Sequence, residues 1–496
     1  MSSVVFFTSI ISMISGMVAA MFIMPNQLMG KSWIIIIGIL VFIYLFNKVI
    51  PIKNYRNIFV LIAICFLLGF WRTDQFHIKY PFTAFDKHNN QTITIVGNIN
   101  QSPTYKPGKQ LVRIHPELIN GEKVSMNSRD VIATFSDLEE FSVGDKLVVS
   151  GKFKARADFQ SDSGRVVQYR LMSYSRKIAG DITFPKLEHR ISGSNNAWNI
   201  FVNIKKKFIR TLNELFIAPA SGLLAGIIIG DTSSLDNNLL DVFRAVGLIH
   251  IVVLSGYNIT LVANFFVRMF APLGYYRRLI TAMIALIFFI AVVGISQTAL
   301  RAGIMALCAF AARYYIRPYV VSRGIFLALL IMVWISPYAL LFDLSLQLSF
   351  LATFGIVFIF PLISKKFPHL AENNFGEILL QTVAVNIVTL PIIIYQMGYF
   401  SLISFPINIA VLGFIPWITV LGFLAVFIGM IIGSLGKLIA FPVQIIVDVI
   451  IRITTWAAEN DPFKLSFPTF SLFWLLGIYV IILFIVISKL KNSKKF

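Results

Sequence analysis

Unbroken apolar stretches recur along this chain, about a dozen of them near the length of a membrane helix, and nothing else restricts the fold as strongly. A helix needs ~20 mostly apolar residues to cross the hydrocarbon core of a bilayer. Runs at 4–24, 33–47 and 58–71 open the chain. Nine more follow at 244–270, 279–296, 299–315, 322–340, 345–363, 378–398, 402–433, 437–456 and 470–488. Hydrophobic residues make up 57% of the chain and charged residues only 13%, whereas a soluble domain carries about 25% charged residues. That balance excludes a single water-soluble domain, and it excludes disorder. The sequence predicts a polytopic α-helical membrane protein of about 12 spans with a soluble insert. The first run lacks a basic n-region and does not read as a cleavable signal. Cys65 and Cys308, the two cysteines, lie inside apolar runs and say nothing of compartment.

The net charge of +20 invites a nucleic-acid reading, but its distribution weakens that inference. Residues 1–71 contain no acid, and most basic residues outside 72–190 sit in short loops between apolar runs. Positive charge in short cytoplasmic loops is usual for any inner-membrane protein. Lys48, Lys53 and Arg56 place the second loop in the cytoplasm, so residue 72 onward is expected outside. Arg277 and Arg278, Arg313 with Arg317 and Arg323, Lys365 and Lys366, Lys437 and the tail from Lys489 mark further cytoplasmic loops.

Residues 72–190 change character. Thr92–Val96, Gln110–Ile114, Asp130–Phe135 and Lys146–Ser150 alternate with period two, and Pro107-Gly108, Asn120-Gly121, Gly144-Asp145 and Gly151 punctuate them. Short alternating strands at that spacing predict a small all-β barrel or sandwich, and Val143–Gly151 has the look of an OB-fold strand. The expected division is therefore 1–71 N-terminal helices, 72–190 an OB-fold-like extracytoplasmic domain, 191–216 an amphipathic interfacial helix, and 217–496 a transmembrane domain. The stretch 217–230 is too short to span and rich in Gly and Ala. A re-entrant or broken segment of that kind survives at membrane depth only where it lines a cavity or is buried in protein.

Polar residues inside membrane runs are costly and usually mark a path or a structural contact. Here they cluster: Asp231, then His250, Ser255, Gly256, Tyr257 and Asn258 in one segment, then Arg301, then Asp343 and Gln347. Ser-Gly is a natural helix break. Each residue has a plainer alternative. His250 could be a hydrogen-bonded packing residue, Gly222, Gly226 and Gly230 could let helices pack closely, Asp343 could cap a helix, and Arg301 with Asp343 could form a buried ion pair.

Leu224–Asp231, Phe243–His250 and Leu254–Ile259 resemble the signature of the ComEC competence proteins. Gln297–Arg301, Asp343–Phe350 and Pro391–Pro406 match later blocks of that family in the same order. The resemblance implies an inner-membrane channel that imports single-stranded DNA during natural transformation. It also implies partners: an external DNA receptor, a separate nuclease, and a cytoplasmic helicase or strand-binding protein. Many members read Ser-Gly-Leu-His where this chain has Ser255-Gly-Tyr-Asn258, so no histidine role carries over to that position. Many also continue into a metallo-β-lactamase-like domain. No His-x-His-x-Asp-His run, HExxH or Walker A motif occurs in this sequence, so neither nuclease nor ATPase activity, nor any cofactor or metal, is expected.

A conduit for a single strand needs cations for phosphates and aromatic faces for bases. Candidates in the β region are Tyr105, Lys106, Lys109, Arg113, Lys152, Lys154 and Arg156. The membrane path would draw on Asp231, His250, Ser255, Gly256, Tyr257, Asn258, Arg301, Asp343 and Gln347. The main alternative is a secondary transporter of a small anionic solute built on the same broken helices. An intramembrane Ser255–His250 nucleophile pair is disfavoured, because residues five apart point about 140° from one another on a helix. The expected location is the inner membrane, with the β domain outside and the C-terminus in the cytoplasm.

Overall fold

The computed structural model describes residues 3–23, 56–81, 85–106, 108–124, 128–136, 141–160, 164–193, 197–252, 256–294, 296–461 and 464–493. The apolar run at 33–47, Lys48, Lys53, Pro107 and Ser255 lie outside them.

Two helices, Ser3–Ile23 and Arg56–Lys79, pack side by side at the start of the chain. Ten strands follow: β1 (Thr92–Ile99), β2 (Thr104–Lys106), β3 (Lys109–Ile119), β4 (Glu122–Lys123), β5 (Asp130–Phe135), β6 (Lys146–Ala155), β7 (Phe159–Gln160), β8 (Val166–Val167), β9 (Ile178–Thr183) and β10 (Lys186–Ile191). Alternation sets their faces, as a period of two requires. Ile93, Ile95, Val112, Ile114, Leu147, Val149 and Phe153 point into a common core, while Arg113, His115, Lys152 and Lys154 point outward. Asn120 and Gly121 both adopt positive φ (52° and 82°), as the two-residue turn between β3 and β4 demands.

Five of these strands close on themselves. β1 pairs antiparallel with β3, β3 antiparallel with β5, β5 parallel with β9, β9 antiparallel with β6, and β6 antiparallel with β1. β10 then runs along β6 beyond the end of β9. The result is barrel-like, and it removes the exposed sheet edges that would otherwise invite pairing with other chains.

Among the described residues the rest of the chain is helical, apart from an antiparallel pairing of Tyr399–Ser401 with Lys464–Ser466. Among the described residues six helices are long and apolar enough to cross a membrane: Val5–Phe22, Tyr275–Val293, Leu344–Lys366, Phe375–Met397, Gly433–Glu459 and Leu472–Lys489. The pair Ser404–Leu412 and Ile415–Gly429, bent by 44°, makes a seventh if taken as one span. Shorter helices fill the space between them, including Gly256–Met269, Gln297–Tyr314 and Val321–Ile335. The helix Ala197–Leu215 buries Val202, Phe208, Thr211 and Leu212 and exposes Asn203, Lys207, Arg210 and Glu214, the two-faced pattern that its sequence predicts.

The barrel is seated on one end of the helices. Arg176, just after the short helix Tyr169–Ser175, forms an ion pair with Asp343 through two contacts of 3.1 Å. Ser336 donates to the Ser175 carbonyl at 2.5 Å, and the Tyr174 hydroxyl to the Tyr80 carbonyl at 2.7 Å. At a second point, Arg165 sits over the rings of Tyr395 and Phe470 and donates to the Pro468 carbonyl. Burial, with Lys79, Arg72 and Arg113 close by, pushes the Lys177 ammonium below its usual range, against the opposing pull of Asp130.

Candidate functional site

The short apolar stretch after residue 217 is a helix, Ala220–Ile229, of which all ten residues are buried. It does not cross the protein: it stops at Gly230, which takes a left-handed conformation. Helix ends leave their last carbonyls without intrahelical partners. Two of those near this end are closed locally by Gly230 and Asp231, whose amides donate to Gly226 and Ala225. The Ile227 carbonyl is closed from outside, by the Asn258 side-chain amide at 2.8 Å. Asn258 thus joins the start of Gly256–Met269 to the end of the buried helix. Its replacement by Leu, which cannot donate, is expected to cost about 1–3 kcal/mol; a thermal melt of the protein in lipid nanodiscs checks this, and a wild-type melting point would refute the role.

The chain between these helices is broken twice. Asp231 is held by Ser233 and by an ion pair with Lys205 at 3.0 Å. Lys205, half-buried on the helix Ala197–Leu215, is therefore turned toward the bundle and away from the exposed stripe of that helix. After Asn237–Ala245 come the short helix Ile249–Val252 and the helix Gly256–Met269, with residues 253–255 between them outside the described residues. His250 is exposed on that turn, with Nδ1 3.0 Å from the Gly247 carbonyl. Gly226 lies directly against the Val252 carbonyl.

Arg301 reaches the start of the helix Gly256–Met269 from the helix Gln297–Tyr314. Arg301 is 9% exposed, and its guanidinium donates to the Thr353 hydroxyl, lies 5.8 Å from the Phe350 ring and abuts Gly256. Gly256 and Arg301 are thus brought together, with Thr353 as a member that the sequence reading did not include, while Asn258 is engaged by Ile227. Tyr257 belongs to the same helix, Gly256–Met269.

Asp343 and Gln347 are elsewhere. Asp343, fully buried, caps the helix beginning at Leu344 by accepting from the Ser345 amide at 3.0 Å, and takes Arg176 as its cation. The ion pair with Arg301 considered from sequence does not form, because Arg301 is engaged by Thr353 and Phe350 while Asp343 faces the barrel. Gln347 donates to the Leu340 and Leu341 carbonyls at 2.9 and 2.8 Å, tying down the turn before its own helix.

The candidate strand-binding cations of the barrel divide. Arg113 is engaged by Asp130 at 2.5 Å and by the Arg176 carbonyl, and Arg156 makes two hydrogen bonds to Asp181 at 2.9 and 2.7 Å. Lys152 and Lys154 are exposed on the outer face of β6. Lys109 lies at the far rim, its Nζ 5.8 Å from the exposed Phe184 ring, and Tyr105 and Lys106 belong to the adjoining strand β2. Among the described residues no group of three or more His, Cys, Asp or Glu could hold a metal ion.

Apolar helices of membrane length, a buried polar break among them and a barrel seated on their ends define a multi-pass membrane protein with an appended β module. The competence protein family matches residues 227–492, more than half of the chain, and the chain belongs to that family. The resemblance read from the sequence motifs is thus borne out. Over 301 residues the chain is 22% identical to ComE operon protein 3 of Bacillus subtilis (strain 168), a stretch covering 59% of this chain and 38% of that protein. The match therefore spans well under half of that relative's length. No solved structure matches the chain significantly.

Proposed function

We propose that this protein is an inner-membrane conduit that carries single-stranded DNA into the cytoplasm during natural transformation. The observation that carries the reading is the family match over 227–492, which contains the whole polar break from Asp231 to Arg301. The strand order of the barrel supports an OB-like module: five strands, the third and fifth of the closed sheet parallel, in the class of barrel that binds single strands.

Charge placement supports the proposed sidedness. Val321–Ile335 ends beside the barrel at Ser336 and carries Arg323 near its other end. Leu344–Lys366 starts at Asp343 beneath the barrel and ends in Lys365 and Lys366. Leu472–Ser493 starts beside Phe470, under Arg165, and carries Lys489 near its end. Basic ends lie in the cytoplasm, which leaves the barrel outside and the last helix ending inside. On this reading 72–190 is the external module, 217–496 the channel domain, and the pulling force comes from a cytoplasmic partner.

The test is uptake of labelled DNA by cells lacking the gene, scored separately for DNA held outside and DNA in the cytoplasm. The expected result is DNA retained at the surface without import, and no rescue by Arg301→Ala. Normal import in the deleted cells, with no second homologue present, would overturn the reading in favour of a small-anion transporter.

A further inference from the structure

A cleft of about 220 Å³ opens in the barrel, away from the cations that the sequence singled out. Lys87 and His88 line it from the segment before β1, Lys123 from β4, and Arg129 from the residue before β5. Glu122 is the one carboxylate in the lining, against three permanent cations. Pro81, two residues beyond the end of the helix Arg56–Lys79, and Ile119 and Val124 give it an apolar wall. Arg129 is prepared in place: it is 6% exposed, and its guanidinium lies 5.7 Å from the Phe85 ring and 5.4 Å from the Tyr174 ring. Lys87 and Lys123 are exposed, and neither has an ion-pair partner among the described residues.

The cleft lies at the end of the barrel nearest the membrane helices. Arg129 adjoins Asp130, whose amide donates to the Lys177 carbonyl, next to the Arg176–Asp343 pair. Tyr174, which faces Arg129, packs against Phe76 and Tyr338 of the helical half. A polyanion leaving the barrel for the helices would meet this cleft at the junction.

We infer that the cleft is a nucleotide subsite, in which Lys87, Lys123 and Arg129 hold a phosphodiester of single-stranded DNA and the Pro81–Ile119–Val124 wall takes the adjoining sugar and base. This rests on the proposed function and adds a site to it. Cations beside an apolar surface are what a single strand requires. A phospholipid headgroup would use the same cations; the cleft's place at the junction between barrel and helices, on a strand's route, favours the nucleotide, and the test separates the two.

The test uses the full chain in nanodiscs of zwitterionic lipid, with fluorescence anisotropy of a short labelled oligothymidylate. Lys87→Glu/Lys123→Glu is expected to weaken binding about tenfold or more and to flatten the slope of log affinity against log salt by about 1.4, the share of two contacts on a single strand. Lys365→Glu/Lys366→Glu makes the same change in net charge at the exposed helix end away from the barrel and is expected to weaken binding by less than about threefold. Lys87→Gln/Lys123→Gln repeats the test without charge reversal, should the reversal disturb folding, and is expected to flatten the slope in the same direction. Equal weakening by both Glu pairs would overturn the subsite in favour of diffuse attraction. Unchanged binding by the cleft variants, with wild-type protein binding normally, would overturn the subsite and leave the uptake reading standing. Failure of the wild type to bind any oligonucleotide would remove the uptake reading and the subsite with it. Loss of co-purifying anionic phospholipid by the cleft variants, with oligonucleotide affinity unchanged, would reassign the cleft to a lipid headgroup and overturn the inference.

Discussion

Replacing Arg176 with alanine is expected to destabilise the protein by about 2–3 kcal/mol, far more than an ordinary surface change. The reason is asymmetric burial. Asp343 is 0% exposed, whereas the Arg176 side chain is 42% exposed. Removing the arginine leaves a buried carboxylate without its cation, which costs about 3–5 kcal/mol where both partners are deeply buried. Water reaching the Arg176 side discounts that figure. Arg176→Ala/Asp343→Asn should recover most of the loss, because asparagine removes the stranded charge and can still accept from the Ser345 amide. Arg210→Ala supplies the contrast: its pair with Glu214 is exposed at both ends, and the change should stay within about 0.5 kcal/mol. Thermal melts of the four proteins in nanodiscs, with limited proteolysis between barrel and helices, read the difference. Melting of Arg176→Ala at the temperature of Arg210→Ala, or no recovery in the double variant, would show that the clasp does not hold the barrel.

What the sequence could convey divides along the range of the interactions. Thr92–Val96, Gln110–Ile114 and Lys146–Ser150 were legible as strands because alternation is a local property, and Asn120-Gly121 was legible as a turn because only a few residues accept two positive φ angles in succession. The end of the buried helix at Gly230 was visible for the same reason. Partnerships across the fold were not. Arg301 and Asp343 are both rare charges within apolar sequence, so pairing them was natural, yet the cation for Asp343 comes from Arg176 in the barrel, 167 positions earlier. Arg113 and Arg156 look like free cations on alternating strands until the sheet register sets them beside Asp130 and Asp181. Register depends on the whole hydrophobic pattern and turn geometry, which no single strand contains. Lys87 and Arg129 had no pattern to betray them, since Lys87 sits in the short 3-10 turn Asp86–His88 and Arg129 is the single residue before β5. The family motifs carried further than physical reading alone, but they marked positions and not contacts.

Gly226→Ala and Gly256→Ala should separate folding from transport, though each adds a single methyl group. At Gly226 the new methyl would overlap the Val252 carbonyl oxygen. That oxygen is backbone, fixed by the turn Ile249–Val252 on one side and the wholly buried helix Ala220–Ile229 on the other. Neither can yield without disturbing the Asn258–Ile227 contact, so the cost should reach about 3 kcal/mol, the upper part of the usual range for overpacking. At Gly256 the methyl would meet Arg301 Nη2 at 2.5 Å, the far end of a long side chain. Arg301 can swing aside, and helical alanine is itself preferred over glycine, so stability should change by less than about 1 kcal/mol. The displacement nevertheless draws Arg301 away from Thr353. If the break is the polar part of a strand's path, Gly256→Ala should melt near the wild-type temperature yet import less labelled DNA, while Gly226→Ala should lose both. Wild-type melting of Gly226→Ala would contradict the close helix crossing. Full import by a Gly256→Ala protein whose arginine has moved would show that Arg301 serves packing and that the strand passes elsewhere.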